Sequence, residues 1–422
     1  MKVCVIGAGV VGCASAYQLA RVGHEVLLLD SAPQPASGAS FANGAQLSYS
    51  YVEPLANPAT FKSIPKMLLD PQSPLGLRLR PSVSQWKWIA SFLRSCAPER
   101  SRRGSLALLA SASLSRMTNE RWMAEDGLDF AVQRNGKLVL CPNAESLASQ
   151  ARQIQLQSGR GAEQTLLTRD ACVSLEPALA SYPGFVGGVW TPSECAADPR
   201  AYCNALLHTA STRGIRMQWS TTASSFVIEN QRVVCLHTSA GEITADAFVL
   251  ATGIDAPQLA RQLGESLLIE PIKGFSLTLG MHPGQRAPVT SVTDLARKTV
   301  LAPLGGKLRV AAFAELGRMD LKIPARRLAQ IQRTVETIYP GLCDFNAPGA
   351  WAGLRPATPD SLPVVRQSRV ANAFLNVGHG ALGFTLAAGC AVQITEAIHE
   401  ARGRPQSNTP LSASPAAAPR CA

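Results

Sequence analysis

The hydrophobic pattern is sharpest over the first thirty residues. Lys2–Ile6 is a short apolar run and Val10–Arg21 has helix-compatible spacing. Gly23 suits the stop just past a helix, and residues 25–30 form a second apolar run. The pattern predicts strand, helix, strand. From Ala32 to about Pro81 the chain is rich in Pro, Ser, Gly and Asn, as expected of long loops around short elements. A helix is predicted over 84–96, with Trp86, Ile89, Ala90 and Leu93 on one stripe and Lys87, Ser91 and Arg94 opposite. Helical spacing continues over 100–128 and over 144–157, and residues 131–141 read as a hairpin turning at Asn135-Gly136. Asp198 as N-cap and Pro199 at the first helical position start another helix, which ends near Gly214. Strands are predicted at 225–229, 232–238, 243–251, 272–280, 299–303 and 307–315, then helices over 324–339 and from Gly383 to about Arg402. The tail, 403–422, is low-complexity and polar and is expected to be disordered.

At 422 residues the chain has room for two or three domains. Charged residues make up 16% of it and apolar residues 46%. An average soluble domain is about 25% charged, so a disordered polyelectrolyte is excluded. Eleven cysteines, scattered and without a C-x-x-C pair, point to a reducing compartment, and no zinc spacing is present. No metal is therefore expected. The apolar first twenty residues run through three spaced glycines into a second apolar run, which suits a folded unit better than a signal peptide. No transmembrane helix is expected. There is no G-x-S-x-G elbow and no G-x-x-x-x-G-K-[ST] loop, which argues against hydrolase and phosphotransferase readings.

Gly7-Ala8-Gly9-Val10-Val11-Gly12 lies between the first strand and its helix. Gly7 permits a tight turn, Gly9 lets a diphosphate approach the backbone, and Gly12 lets helix and strand pack closely. Asp30 ends the next strand, 18 residues past Gly12, where a carboxylate binds a ribose 2′-OH and repels a 2′-phosphate. This unit alone leaves FAD and NAD open. Three later stretches favour FAD: the strand and small-residue turn at 248–253, the glycine-dense helix start at 378–383, and the small polar loop at 40–46.

In their order, GAGVVG, GASFANGAQLS, IKGFSLTL, GLRPATPDSLPVV and GHGALGFT resemble the D-amino-acid dehydrogenase branch of the FAD-dependent amino-acid oxidoreductases, over residues 1–402. The resemblance implies an α/β fold: a Rossmann-like FAD-binding domain (1–50, 198–262, 350–402) and an interleaved α+β substrate domain (51–197, 263–349) on a mixed, largely antiparallel sheet. It implies FAD contacts at Gly7, Ala8, Gly9, Val10, Val11, Gly12, Asp30, Ser31, Ser40, Asn43, Gly44, Gln46 and Leu47. Further contacts are implied at Ala223, Gly253, Gly380, Ala381, Leu382, Gly383 and Thr385. Arg355 matches the arginine that holds the substrate carboxylate, a task suited to a planar, always-charged fork. Tyr51 and Lys273 match positions common in this branch, with a structural role in the substrate domain as the competing reading. His379 contacts substrate or flavin through its ring, or acts only through its backbone. Some related oxidases tether flavin through a cysteine two residues before the arginine. Here that position is Gly353, so non-covalent FAD is expected.

Two departures from the family pattern, Ala311-Ala-Phe-Ala-Glu315 and Pro303-Leu-Gly, bear on the exact substrate. The activity implied is oxidation of D-amino acids to 2-oxo acids and ammonia. The alternatives are a cyclic or secondary amine (D-proline, D-hydroxyproline, a sarcosine-like substrate) or a flavin-binding subunit of a hetero-oligomer. The net charge of +11 concentrates in two windows, 61–103 and 297–333, each with nine basic and two acidic residues. No basic helix with a nucleic-acid motif appears, so nucleic acid is not an expected partner. The first window holds Trp86, Trp88 and Phe92, which suits peripheral contact with an anionic membrane where a quinone is reached. A merely basic, solvated domain is the competing reading. The expected location is cytoplasmic, with any such contact on the cytoplasmic face of the inner membrane.

Overall fold

The computed structural model describes residues 1–69 and 73–403. Apart from Gly403, the expected tail lies outside them. β1 (Lys2–Ile6), α1 (Val10–Arg21) and β2 (Glu25–Leu29) form where the apolar pattern puts them. β1 is central in a six-stranded sheet, paired in parallel with β2 on one side and with Ala247–Leu250 on the other. Ile215–Gln218 extends the sheet beyond β2. Ala373–Val377 extends it on the other side and carries the antiparallel edge strand Val364–Gln367. Strands buried on both faces read as unbroken apolar runs, as β1 does.

On one face pack α1, the helix Pro199–Ser211 and the last helix, Gly383–Gly403. The segment 380–403 is long and apolar enough to cross a membrane by composition. Its Ala387, Ala388, Ala391 and Ile394 are instead buried in this core. A Cβ on Gly389 would stand 2.9 Å from Ser111 O and Ser115 N, so the last helix meets the helix Pro98–Asp126 backbone to backbone.

The second sheet is larger and mixed. Its order is Cys343–Ala357, Glu270–Met281, Lys307–Leu316, Thr299–Leu304, Ser291–Asp294, Lys137–Cys141, Gly187–Thr191 and Thr165–Thr168, with Leu75–Leu77 paired to the end of Lys307–Leu316. The pairing is mostly antiparallel, and the helix Ala325–Ile338 covers the face turned away from the first sheet. Cys343–Ala357 escaped the sequence reading because Pro348, Gly349, Gly353 and Pro356 look like breakers. It is an edge strand, where proline is tolerated.

Several expectations are corrected. Residues 131–141 do not form a hairpin: Gly136 turns at φ +64, and Lys137–Cys141 pairs with Gly187–Thr191 and Ser291–Asp294, both distant in the chain. The run 243–251 is two strands, Gly241–Ile243 in a small outer sheet and Ala247–Leu250 in the parallel one. The helix Val83–Ser95 buries Gln85, Trp88, Phe92 and Ser95, while Trp86 and Leu93 are exposed. The Trp88 indole donates to Ala357 O at 2.8 Å and stacks on Phe92, and these anchors rotate the helix away from the predicted stripe. Residues 350–357 pair within the larger sheet rather than the first. The helix Pro98–Asp126, placed by sequence with the substrate part, packs on α1, with Trp122 edge-on to Tyr17 at 4.8 Å.

Asp126 ties this helix down. It accepts from the Tyr17 hydroxyl, Arg21 Nε at 2.7 Å and Arg213 Nη2 at 2.7 Å. Burial alone would raise its carboxyl. The hydrogen bonds from Tyr17, Arg213 and Arg21, with the charge of Arg21, outweigh burial and hold it below its usual value. A depressed folded pKa stabilises the fold above the unfolded value, and the gain is lost as pH falls through the folded one. Asp126→Asn is therefore expected to lower stability at pH 7 by roughly 1–3 kcal/mol, below the cost of breaking a fully buried pair because both arginines are partly exposed. Denaturant titrations at pH 7 and at pH 3 check this, and the difference between the two proteins should shrink at the lower pH.

Candidate active site

The end of β1, the start of α1 and the strand Ala247–Leu250 meet with almost no space between backbones. Gly7 sits at φ +102, and a Cβ there would lie 2.6 Å from Ala251 O. A Cβ on Gly12 would lie 1.7 Å from Gly7 O. Gly9 faces the Ser40 hydroxyl, whose oxygen accepts from Val10 N at 3.0 Å at the helix N-terminus. Asp30 accepts from Ala8 N at 2.6 Å through one oxygen and from Ala32 N at 2.8 Å through the other. Each oxygen keeps a second lone pair, and Asp30 lines the cavity that opens here. Asp255 lines the same end, its carboxyl raised by burial and by the charge of Asp30.

This cavity, of about 1080 Å³, runs between the two sheets. It slightly exceeds the range of about 300–1,000 Å³ usual for small-molecule sites. Its walls carry Gly7, Gly9, Val10, Val11, Asp30, Ser31, Ser40, Asn43, Gly44, Gln46, Ala223, Gly253, Gly380, Ala381, Leu382, Gly383 and Thr385, all anticipated from sequence. Ala8, Gly12 and Leu47 lie behind the wall, Ala8 and Leu47 inside the core and Gly12 against Gly7. Five wall residues hold buried polar atoms without a protein partner: Gln46 Nε2, Thr252 Oγ1, Thr293 Oγ1, Asn376 Oδ1 and His379 Nε2. Each such atom costs about 1–3 kcal/mol if left unsatisfied. Their gathering around one cavity, beside a loop with no room for a methyl group, fits a large polar ligand with a diphosphate and ring heteroatoms.

The roof is the inner face of the larger sheet. Ser276 Oγ donates to Ala42 O at 2.6 Å, and a Cβ on Gly44 would meet Ala311 and Val300 at 3.6 and 3.7 Å. Arg355 reaches across the strand Glu270–Met281, and its Nη1 donates to Phe313 O at 3.0 Å. Only glycine at 274 leaves room for it, since a Cβ there would stand 2.4 Å from Arg355 Nη2. Burial pulls the Arg355 pKa down, with no carboxylate opposing it. A guanidinium stays charged nonetheless. The result is a charged fork on the cavity wall without a counter-ion among the described residues.

Lys273 is not part of this site. Neighbouring strand residues point to opposite faces, so Gly274 and Ser276 line the cavity while Lys273 turns away. Its amine donates to Asp320 Oδ1 at 2.8 Å and Lys322 O at 2.6 Å. Tyr51 and His379 both line the cavity. Burial pushes the Tyr51 phenol up and pulls the His379 imidazole down to about 3, so His379 is a neutral ring at neutral pH.

Sequence reasoning missed a buried amine. Lys137 is 5% exposed on the cavity wall; its Nζ donates to Ser48 Oγ at 2.9 Å and lies over the Tyr51 ring. Burial lowers it to about 8, the charge of Glu194 opposing. Glu194 accepts from Ser50 N at 2.6 Å and Tyr51 N at 3.1 Å, and burial raises its carboxyl. No local pattern links residues so far apart. Gly274 and Asn376 were missed too. Gly274 adjoins a predicted position, Lys273, while Thr252 falls within the turn at 248–253 that the sequence singled out.

Among the described residues no cysteine lines the cavity, and a Cβ at Gly353 would stand 1.9 Å from the Trp351 ring. Residues 2–397 match the family described as FAD dependent oxidoreductase. The chain is 40% identical over 411 residues to D-amino acid dehydrogenase 2 of Ralstonia nicotianae, covering 94% of this chain and 96% of that protein. It is also 40% identical over 399 residues to D-amino acid dehydrogenase 2 of Pseudomonas aeruginosa, covering 94% of each. Among solved structures it resembles glycine oxidase from Geobacillus kaustophilus, with a TM-score of 0.73 at 21% identity over 94% of both chains.

Gly7→Ala adds left-handed strain of about 1–2 kcal/mol and an overpacking cost of about 1–3 kcal/mol. The purified variant is expected to bind flavin about a hundredfold more weakly, read by absorbance titration. Gly23→Ala, also at positive φ but in open space, should keep its flavin. Full flavin retention by Gly7→Ala would show that the ligand does not press on this loop.

Proposed function

The chain belongs to the family of FAD-dependent oxidoreductases, and from that premise we propose that it oxidises D-amino acids to 2-oxo acids and ammonia. The observation that carries the reading is Arg355, a charged fork on the cavity wall held over Gly274 with no counter-charge among the described residues. The names of the relatives supply the D-amino acid. FAD, when bound, supplies the two-electron acceptor that takes the Cα hydrogen as hydride. The backbone at Gly9 and Val11 would hold its diphosphate and Asp30 its ribose, with Gln46, Thr252, Asn376 and Thr385 along its length. With no cysteine on the wall, the cofactor is held non-covalently.

Arg355 grips the substrate carboxylate in two parallel charge-assisted hydrogen bonds and so fixes which Cα bond faces the cofactor. The roof sheet closes over the substrate and strengthens that contact by excluding water. The neutral His379 ring offers no proton at working pH, and the substrate ammonium gives its proton to solvent as it binds, so the amine is neutral when oxidised. Water then adds to the imino acid, and ammonia leaves.

Under anaerobic conditions D-alanine and other D-amino acids should bleach the flavin absorbance, while the L-enantiomers should not. Failure of every D-amino acid on flavin-loaded protein would overturn the reading. Removing two charge-assisted hydrogen bonds costs about 3–4 kcal/mol. Arg355→Met should therefore lower kcat/KM by about 10²–10³-fold with flavin content unchanged.

The electron acceptor we propose is a membrane quinone, reached by peripheral contact. Trp88 and Phe92 are buried and take no part. Phe61, Leu79, Val83, Trp86, Met319 and Leu321 are each more than half exposed. Among them stand Lys62, Arg78, Lys87 and Lys322, all exposed. The two segments adjoin, Arg78 N donating to Leu316 O, and Thr60, Leu75 and Leu321 line the cavity. Apolar side chains ringed by basic ones suit an anionic bilayer. Co-sedimentation with anionic vesicles is expected at low salt and should fall in Trp86→Ser/Leu321→Ser. Absence of binding at low salt would refute the contact.

A further inference from the structure

Outside the cavity, three side chains of different chemistry converge on the small outer sheet. Its strands Ala223–Glu229, Arg232–Thr238 and Gly241–Ile243 pair antiparallel in that order. Cys235 and His237 are two apart on one strand and so project on the same face. His237 stands directly opposite Glu242 on the next strand. The Cys235 thiol sulfur, a ring nitrogen of His237 and a carboxylate oxygen of Glu242 all lie within 4.8 Å of one another. His237 Nε2 and Glu242 Oε1 are 3.6 Å apart. On a tetrahedral zinc ion, sulfur, nitrogen and oxygen ligands sit about 3.3–3.7 Å apart, so small side-chain rotations would close the set.

The hairpin holds this register firmly. Thr238 Oγ1 donates to Gly241 O at 2.7 Å and accepts from Ala240 N at 3.1 Å, and Gly241 takes the turn at φ +108. Spacing rules for zinc overlook the group because its pattern, C-x-H followed by a glutamate on the next strand, gains its geometry from sheet pairing. Cys235 is buried, while the His237 and Glu242 side chains are 45% and 71% exposed. The site is therefore reachable from solvent, with one wall of protein.

We propose that Cys235, His237 and Glu242 bind a divalent transition ion of the zinc class, with water as the fourth ligand. Thiolate and imidazole select such an ion over magnesium or calcium, and the thiol proton passes to solvent on binding. None of the three residues lines the cavity, so the ion is separate from the redox chemistry. Its effect would be to staple a sheet that begins on the cavity wall at Thr222 and Ala223, where Thr222 N donates to Ser239 Oγ at 3.0 Å.

The flavin-loaded full chain, prepared without a histidine tag and stripped with chelator, is titrated with cobalt(II). One equivalent should produce the strong red-region bands of four-coordinate cobalt, where oxidised flavin does not absorb, together with a thiolate-to-cobalt band in the difference spectrum. Zinc should displace the ion. Cys235→Ser should abolish the thiolate band and His237→Ala should weaken binding at least about tenfold. Cys421→Ser, in the C-terminal tail, should leave the spectrum unchanged. No band at stoichiometric cobalt, a thiolate band that survives Cys235→Ser, or one lost in Cys421→Ser would each overturn the assignment.

Discussion

At the end of β1, the Gly7 carbonyl occupies the space that any side chain at position 12 would need, and Ala251 O closes over Gly7 itself. Helix, loop and neighbouring strand are thereby locked at backbone distance. The cavity floor depends on that contact. It places the start of α1 on the cavity wall and brings Asp30 and Asp255 to the same end. The tight contact between the last helix and Pro98–Asp126 at Gly389 is of the same kind. Small residues let backbones meet, and backbone dipoles then line the floor.

The roof works by the opposite principle. There, side chains decide, and the pleat sorts them. One face of the larger sheet carries Leu277, Leu279 and Leu308 toward Ala325–Ile338 as an ordinary apolar core. The other carries Gly274, Ser276 and Arg355 toward the cavity. A guanidinium held by one carbonyl and stripped of counter-charge is costly in a folded protein. That cost is offset when an anion arrives, which agrees with the carboxylate grip proposed for Arg355. The buried pair Lys137 and Glu194, bridged through Ser48 and the backbone of residues 50 and 51, stiffens the loop between floor and roof.

The legible parts were those whose chemistry is local. The glycine loop, Asp30 and the helix N-cap at Asp198 follow from short spacings, and the structure shows them at those positions. The strand around residue 273 was legible too, but not which neighbour faces the cavity. Parity along a strand is set by its partners, and here Gly274 rather than Lys273 faces inward. The stripe read on 84–96 failed for a similar reason. Trp88 found a carbonyl on Ala357, and that distant contact outranked the local moment.

The sequence by itself determined the dinucleotide-type floor and the order of the motifs, because each rests on residue type at short range. Only the tertiary structure decided which face of each strand lines the cavity, where Lys137 meets Glu194 and how Cys235, His237 and Glu242 come together. Those relations are set by strand register and by contacts across long stretches of chain, and neither has a local signature.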